Sequence, residues 1–151
     1  MVLILCYTVS LGYYLDLYMT HFPKTEAASW GYAYRELSLV LDSERFSQKR
    51  VIMSHPEKSP YIYLLFYGAY DPAAYQREAK RYPLSRDGFT DVSGYGRYSF
   101  RAIDWKHDPY QPNTLIVTDT EELPDALSPK RVARITLPDN TDMFSVLDTD
   151  R

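Results

Sequence analysis

Ionisable side chains that could do chemistry are spaced in ways that disfavour most catalytic sites. The three histidines, His21, His55 and His107, lie far apart, and none has a second ligand three or four residues away, which disfavours a zinc site. The only cysteine, Cys6, lies in an apolar run, where a thiol is not activated. The segment SGYGRY predicts a β-turn and not a phosphate-binding loop. We therefore predict no catalytic residue, no metal and no cofactor.

A functional role is harder to exclude for the carboxylates at the ends of predicted helices and strands. Asp71, directly before Pro72, suits a helix N-cap. Asp104 and Trp105 end a predicted strand, so an acid would lie beside a flat ring, as in sugar-binding sites. The alternative is a strand-end acid next to an indole that packs in the core. The remaining acids of this kind are Asp87, Asp91 and Asp108.

Aromatic and charged residues from two parts of the chain form one candidate ligand-binding group. Sugars are held by flat rings flanked by carboxylates or amides. The alternative is that these rings pack the core beneath the sheet. The group pairs tyrosines and an acid on one side with an Arg-Asp-Trp set on the other: Tyr63, Tyr67 and Asp71 with Arg101, Asp104 and Trp105.

The first fifteen residues carry no charged side chain and lead into a cluster of aromatic residues. This pattern is typical of the outer end of a membrane helix, with Pro23 as its predicted end. The uncharged run is shorter than the roughly 20 residues that span a bilayer. We predict that residues 1–22 are the end of a transmembrane or juxtamembrane helix, the alternative being a buried helix. Residues 23–151 would then form a single soluble α/β domain.

Composition limits the classes of partner. The net charge is -3 without a basic stripe, which argues against duplex nucleic acid. One cysteine cannot form an intrachain disulfide. The chain has 15 tyrosines against 6 phenylalanines, which indicates many half-buried, half-wet positions. Three interpretations remain open: a rim around a small core, a belt at the level of lipid headgroups, or a surface on which sugars stack.

The first half of the chain predicts helices around one short strand. Apolar residues recur at helical spacing over 26–42, with Ser29 as N-cap and Trp30 on the apolar stripe. Residues 50–54 suit a buried strand. Residues 61–69 fit a strand or a helix, and Pro60 before them favours the helix. Another helix should follow the Asp71 cap and continue to about Tyr82.

The second half predicts mainly strands. An alternating stretch at 88–92 precedes strands at 98–105 and 114–118, then a short helix and turn at 121–129. Residues 131–137 and 143–147 should pair as a hairpin. We therefore predict the α/β class, in two or three layers. It has a mixed sheet flanked by helices, an N-terminal apolar helix and a C-terminal β-hairpin.

Several segments together resemble a known family. They are YYLDLYMTHFP, AASWGYAYREL, PYIYLLFY followed by DPAAYQ, YSFRAIDW and TLIVTDTEEL. These resemble the soluble C-terminal region of bacterial membrane glycosyltransferases that use polyprenyl-phosphate sugars, the relatives of protein O-mannosyltransferase and aminoarabinose transferase. The resemblance extends from about Tyr13 to Leu123.

The resemblance implies a noncatalytic extracytoplasmic domain on the periplasmic or extracellular face of the cell membrane. The essential acid of that family lies in an early loop with no counterpart here, so no catalytic residue is carried over. The implied partners are the transmembrane catalytic core of the same polypeptide and a glycan, lipid or protein acceptor, with no nucleic acid. The alternative is a free-standing carbohydrate-binding or protein-interaction domain.

Overall fold

The computed structural model describes residues 1–86, 88–124 and 129–150. Its folded part is a seven-stranded mixed sheet with helices packed against it, so the predicted α/β class is confirmed. A long apolar helix precedes this domain, and two antiparallel strands end it, as the sequence predicts.

The N-terminal helix is continuous from Val2 to Thr25. It consists of α1 (Val2–Asp16), a widened π turn (Leu17–His21) and α2 (Phe22–Thr25). The prediction that the helix closes at Pro23 is wrong, because the chain stays helical for two more residues. Pro23 lacks an N–H, and just before it the helix widens, so that the Phe22 N–H donates to the Leu17 carbonyl.

The sheet has the strand order β2-β3-β4-β1-β5-β7-β6. Its three central strands, β4, β1 and β5, are parallel, and the outer pairs are antiparallel. The strands are β1 (Arg50–Met53), β2 (Lys80–Arg81), β3 (Val92–Tyr95), β4 (Tyr98–Phe100), β5 (Thr114–Asp119), β6 (Lys130–Thr136) and β7 (Asp142–Asp148).

Three helices cover one face of this sheet: α3 (Ala33–Leu41), α4 (Pro60–Tyr67) and α5 (Pro72–Glu78). Their apolar residues join the same core as alternate residues of the central strands. Leu37 of α3 and Leu64 of α4, for example, are buried with Val117 of β5. Of the two predicted architectures, the described residues therefore show two layers, one of sheet and one of helices.

The helix predicted over 26–42 begins seven residues later, at Ala33. Gly31 has a φ of 67°, a left-handed conformation that interrupts a helix. The Tyr63 ring lies 2.5 Å from where a Cβ of Gly31 would stand, so only glycine, which has no side chain, fits at this position. Ser29 therefore caps nothing, and Trp30 is 71% exposed and not part of an apolar stripe.

The two following helices match their local signals. Pro60 occupies the first turn of α4, and Gly68 ends it, as predicted. The Asp71 carboxylate accepts hydrogen bonds from the backbone N–H groups of Ala73 and Ala74 at 3.1 Å, so the predicted N-cap is confirmed. This helix ends at Glu78 and not at Tyr82, because Lys80 and Arg81 pair with β3 as an edge strand.

Other strand boundaries also differ from the predictions. The alternating stretch at 88–92 becomes a strand only from Val92, and the strand predicted over 98–105 ends at Phe100. The short helix predicted over 121–129 is a 3₁₀ turn at Thr120–Glu122. The remainder of that prediction, at 125–128, lies outside the described residues. The predicted terminal hairpin is confirmed by the antiparallel pairing of β6 with β7.

Candidate functional site

A crevice lies where the three parallel strands end. After β1, the chain continues to the face of the sheet that the helices cover. After β5, it forms the turn Thr120–Glu122, which contacts Ser145 of β7 on the opposite face. Loops that diverge in this way open a crevice at the carboxyl ends of parallel strands, where ligands bind in open α/β sheets. The crevice has a volume of about 630 Å³ and is lined by Ser54, His55, Glu57, Ala102, Ile103, Trp105 and Glu122. We call it the carboxyl-edge crevice.

His55 joins the two loops at this edge. Its Nδ1 lies 2.6 Å from Glu57 Oε1, and its Nε2 lies 2.7 Å from Glu122 Oε1. The contact between His55 Nε2 and Glu122 does not have the geometry of a hydrogen bond, so it acts as an ion pair. Burial alone lowers the pKa of His55, but the hydrogen bond to Glu57 and the charge of Glu122 outweigh burial and leave that pKa raised. His55 therefore links two acids, and their contacts favour the protonated form of its imidazole.

A second ion pair crosses the same edge. Lys58 Nζ lies 2.7 Å from Asp119 Oδ2, at the end of β5. The Thr118 hydroxyl donates to the Glu122 carboxylate at 3.1 Å, which fixes that acid against the strand. These contacts leave carboxylate, imidazole and hydroxyl groups beside an indole, a set that can bind the hydroxyl groups of a polyol.

The loop after β4 is held by a buried carboxylate. Asp108 is 1% exposed, and its two oxygens accept a fork of hydrogen bonds from the Arg101 guanidinium at 2.8 and 2.7 Å. The Asp104 N–H and the Gln111 side-chain amide donate to the same carboxylate at 2.8 and 2.7 Å. Trp105 lies within this loop, so the Asp108 network sets where the indole meets the crevice.

The six residues of the predicted ligand-binding group divide among different places. Tyr63 stacks on Tyr34 with ring centroids 4.3 Å apart and packs against the core. Tyr67 is 38% exposed and lines a groove beside the N-terminal helix, while Asp71 caps α5. The structure therefore does not bring these three side chains together in one cavity.

The other three residues of the predicted group lie on one loop, but their side chains have different surroundings. Arg101 binds Asp108, Asp104 Oδ2 lies 2.7 Å from His107 Nδ1, and Trp105 lines the carboxyl-edge crevice. Of the predicted group, only Trp105 lines this crevice. Binding by any of these residues stays a prediction.

The groove that contains Tyr67 is aromatic and lies at the junction between the helix and the domain. The rings of Tyr14, Tyr18 and Phe22 follow one another along the helix at 5.9 and 5.8 Å, and Trp30 lies 6.4 Å from Phe22. The groove has a volume of about 370 Å³. We call it the aromatic groove, and its other lining residues are Met19, Pro23, Glu26, Ala27 and Tyr32.

The contacts of His55 and Asp108 were not predicted from the sequence. The acids that surround His55 come from its own loop and from a strand end more than sixty residues away, so spacing along the chain carries no signal. Asp108 offered a weak signal, because it lies seven residues after Arg101 in a loop rich in acids and prolines. In the part of the chain that the structure describes, no group of three His, Cys, Asp or Glu residues is placed to hold a metal ion.

No family model matches the chain. No curated protein and no solved structure is significantly similar to it either.

Proposed function

We propose that this chain is the noncatalytic extracytoplasmic C-terminal domain of a membrane glycosyltransferase that uses a polyprenyl-phosphate sugar. In this proposal, the N-terminal helix is the end of the transmembrane part, and the α/β domain stands on the periplasmic or extracellular face. The domain supports acceptor binding or braces the catalytic membrane core. The single observation that carries the membrane part is the fully exposed apolar helix.

That helix is suited to lipid and not to a protein core. It is long and apolar enough to cross a membrane, and none of its residues is buried against the domain. At 1.5 Å per residue, its 24 residues extend about 36 Å, of which the part before Tyr14 would lie among the lipid tails. Leaving so many apolar side chains in water is unfavourable, so we expect a bilayer to cover them.

The aromatic groove supports the same orientation. Tyrosine and tryptophan favour the boundary between lipid tails and water, since the ring is apolar and its polar atom stays hydrated. The ladder from Tyr14 to Phe22, continued by Trp30, lies where the helix meets the domain. We therefore place the headgroup layer at this ladder, with the domain just outside it.

The transferase class is supported by the resemblance of the motifs and by the chemistry of the carboxyl-edge crevice. Sugars present hydroxyl groups and flat apolar faces, which suit carboxylates, an imidazole and an indole. The crevice offers Glu57, Glu122, His55 and Trp105 for these contacts. An acceptor held there need not be activated by this domain, since the catalytic acid belongs to another part of the polypeptide.

Fluorescence quenching tests the membrane part. The chain has two tryptophans, so Trp105→Phe leaves Trp30 as the only indole. In vesicles that contain brominated lipids, we expect shallow bromines to quench Trp30 strongly and deep ones weakly. The matched variant Trp30→Phe retains Trp105 in the crevice and should show little quenching by either lipid. Equal quenching of the two variants, or none of Trp30, would refute the proposed orientation.

Enzyme assays test the transferase part. The isolated chain should transfer no sugar from a polyprenyl-phosphate donor, whereas a polypeptide that joins it to the catalytic membrane core should do so. In that polypeptide, we expect Trp105→Ala to lower transfer to the acceptor while the melting temperature changes little. Turnover by the isolated chain, abolished by one Asp substitution, would overturn the noncatalytic assignment. Oligosaccharide binding by a chain encoded without upstream membrane spans would favour a free-standing carbohydrate-binding domain.

A further inference from the structure

A trough with an excess of positive charge lies on the sheet face that the helices do not cover, and the C-terminal end of α5 contributes Arg77 and Glu78 to its lining. In the register of the central strands, Ile52 is opposite Ser99, and both point away from the core side chains of Val51 and Phe100. Arg50 is on the same side as Ile52, two residues earlier in β1. The trough has a volume of about 600 Å³, and the lining residues that matter here are Arg50, Arg77, Glu78, Lys80, Gly94 and Ser99. We call it the basic trough.

Two further arginines of the trough are already neutralised. Arg97 donates to the carbonyl groups of Leu41 and Phe46 and pairs with Asp42 at 2.7 Å. Arg101 is bound in a fork by Asp108. These two guanidinium groups build the wall of the trough but have few donors left for a ligand.

Three other cations have no such partner. Within residues 1–86, 88–124 and 129–150, the side chains of Arg50, Arg77 and Lys80 form no ion pair or hydrogen bond, and all three residues are exposed. The acid in the lining is Glu78, which accepts a hydrogen bond from the Tyr70 hydroxyl at 2.7 Å. Among the described residues, these three cations and this one acid give the trough a net charge of about +2, in a chain whose net charge is -3.

Small residues form the floor of the trough. Gly94 has no side chain, and a Cβ there would lie 2.6 Å from the Tyr98 carbonyl oxygen, so a larger residue is excluded. Ser99, which pairs with Gly94 across the strands, adds a small hydroxyl donor. A phosphate monoester has a charge of -1.5 to -2 and three acceptor oxygens, which match the free charge and the guanidinium donors.

We propose that the basic trough binds a phosphate monoester through Arg50, Arg77 and Lys80. This site goes beyond the proposed function and does not depend on it. The same chemistry is offered by a soluble phosphate compound or by the headgroup of an anionic lipid, and the two sources are distinguished by experiment.

The test uses the full chain in neutral maltoside micelles, which cover the apolar helix. Amide chemical shifts of Gly94 and Ser99 are followed as glycerol 3-phosphate is added at constant ionic strength, and separately in mixed micelles that contain phosphatidic acid. Saturable shifts with the soluble compound identify a site for free phosphate monoesters. Shifts with phosphatidic acid alone identify a headgroup site. No saturable shift in either arm overturns the proposal.

Charge variants make the test specific. We expect Arg50→Gln and Lys80→Gln each to weaken binding about fivefold, as loss of one exposed ion contact does. The matched control is Arg35→Gln, which removes an exposed cation from α3 on the helical layer and should change affinity less than about twofold. Because all three residues are exposed, we expect the same melting temperature for each variant. Equal weakening by Arg35→Gln would show nonspecific attraction and refute the site.

Discussion

Removing the Asp108 carboxylate should destabilise the domain more than removal of any exposed acid. Asp108→Ala leaves the Arg101 guanidinium, the Asp104 N–H and the Gln111 amide without their acceptor. Breaking a buried ion pair costs about 3–5 kcal/mol. The Arg101 side chain is 36% exposed, so water replaces part of the lost interaction. We therefore expect the free energy of unfolding to fall by about 2–3 kcal/mol.

Thermal melting followed by near-ultraviolet circular dichroism measures this loss. For a domain of this size, about 4 °C of melting temperature corresponds to 1 kcal/mol, so the midpoint should fall by about 8–12 °C. The matched control is Asp104→Ala, whose exposed carboxylate accepts from the Lys106 N–H and pairs with His107. That variant should melt close to the unchanged protein.

A double-mutant cycle isolates the pair itself. Arg101→Gln removes the charge that Asp108 neutralises, so the combined variant should lose less than the sum of the two single variants. We expect a coupling energy of about 1–2 kcal/mol. If Asp108→Ala lowers the free energy of unfolding no more than Asp104→Ala, or if the cycle shows no coupling, the Arg101–Asp108 pair does not hold the loop. The inference that this pair positions Trp105 at the crevice would then be wrong.

Three further predictions concern the helix, the histidine and the tyrosines. Deleting residues 1–15 should leave a cooperative melt and a more monomeric protein in size-exclusion chromatography, because α1 has no buried residue; loss of the melt would show that it is core. The raised pKa of His55 means that its stabilisation is complete below about pH 6.5 and is lost as pH rises through the folded value. The urea midpoint should therefore fall over that range, and His55→Gln should remove the dependence. Burial raises the pKa of Tyr98 to about 12, so stability should fall from pH 10 upward, and absorbance at alkaline pH should show Tyr98 ionising late or only on unfolding.

The sequence predicted correctly those helices and strands whose formation depends mainly on neighbouring residues. Asp71 caps α5 and Pro60 begins α4 because capping and the first helical turn involve only neighbouring residues. Thr114–Asp119 was readable as a buried strand because a short apolar run bounded by polar residues has few alternatives. The predicted start of α3 was wrong because Gly31 adopts a left-handed conformation, and Tyr63 from another helix packs where a Cβ of Gly31 would stand.

The candidate site was less accessible to sequence reasoning, since its contacts join distant segments. Trp105 was predicted as a site residue from the sequence. Glu122 and His55, however, come into contact only because β1 and β5 lie side by side in the sheet. The basic trough was missed for a related reason. Arg50 lies far along the chain from Arg77 and Lys80, and only the fold brings the three cations around one floor.

The central position of β1 has a consequence for how the chain acquires its structure during synthesis. Val51 pairs with Tyr98 on one side and with Leu115 on the other, so neither edge of β1 has a partner until residues far downstream have been made. Pairings of such long sequence separation form slowly, and an unpaired apolar strand is prone to aggregate. Between the emergence of β1 and that of β5, we expect the nascent domain to be sensitive to temperature and to bind chaperones.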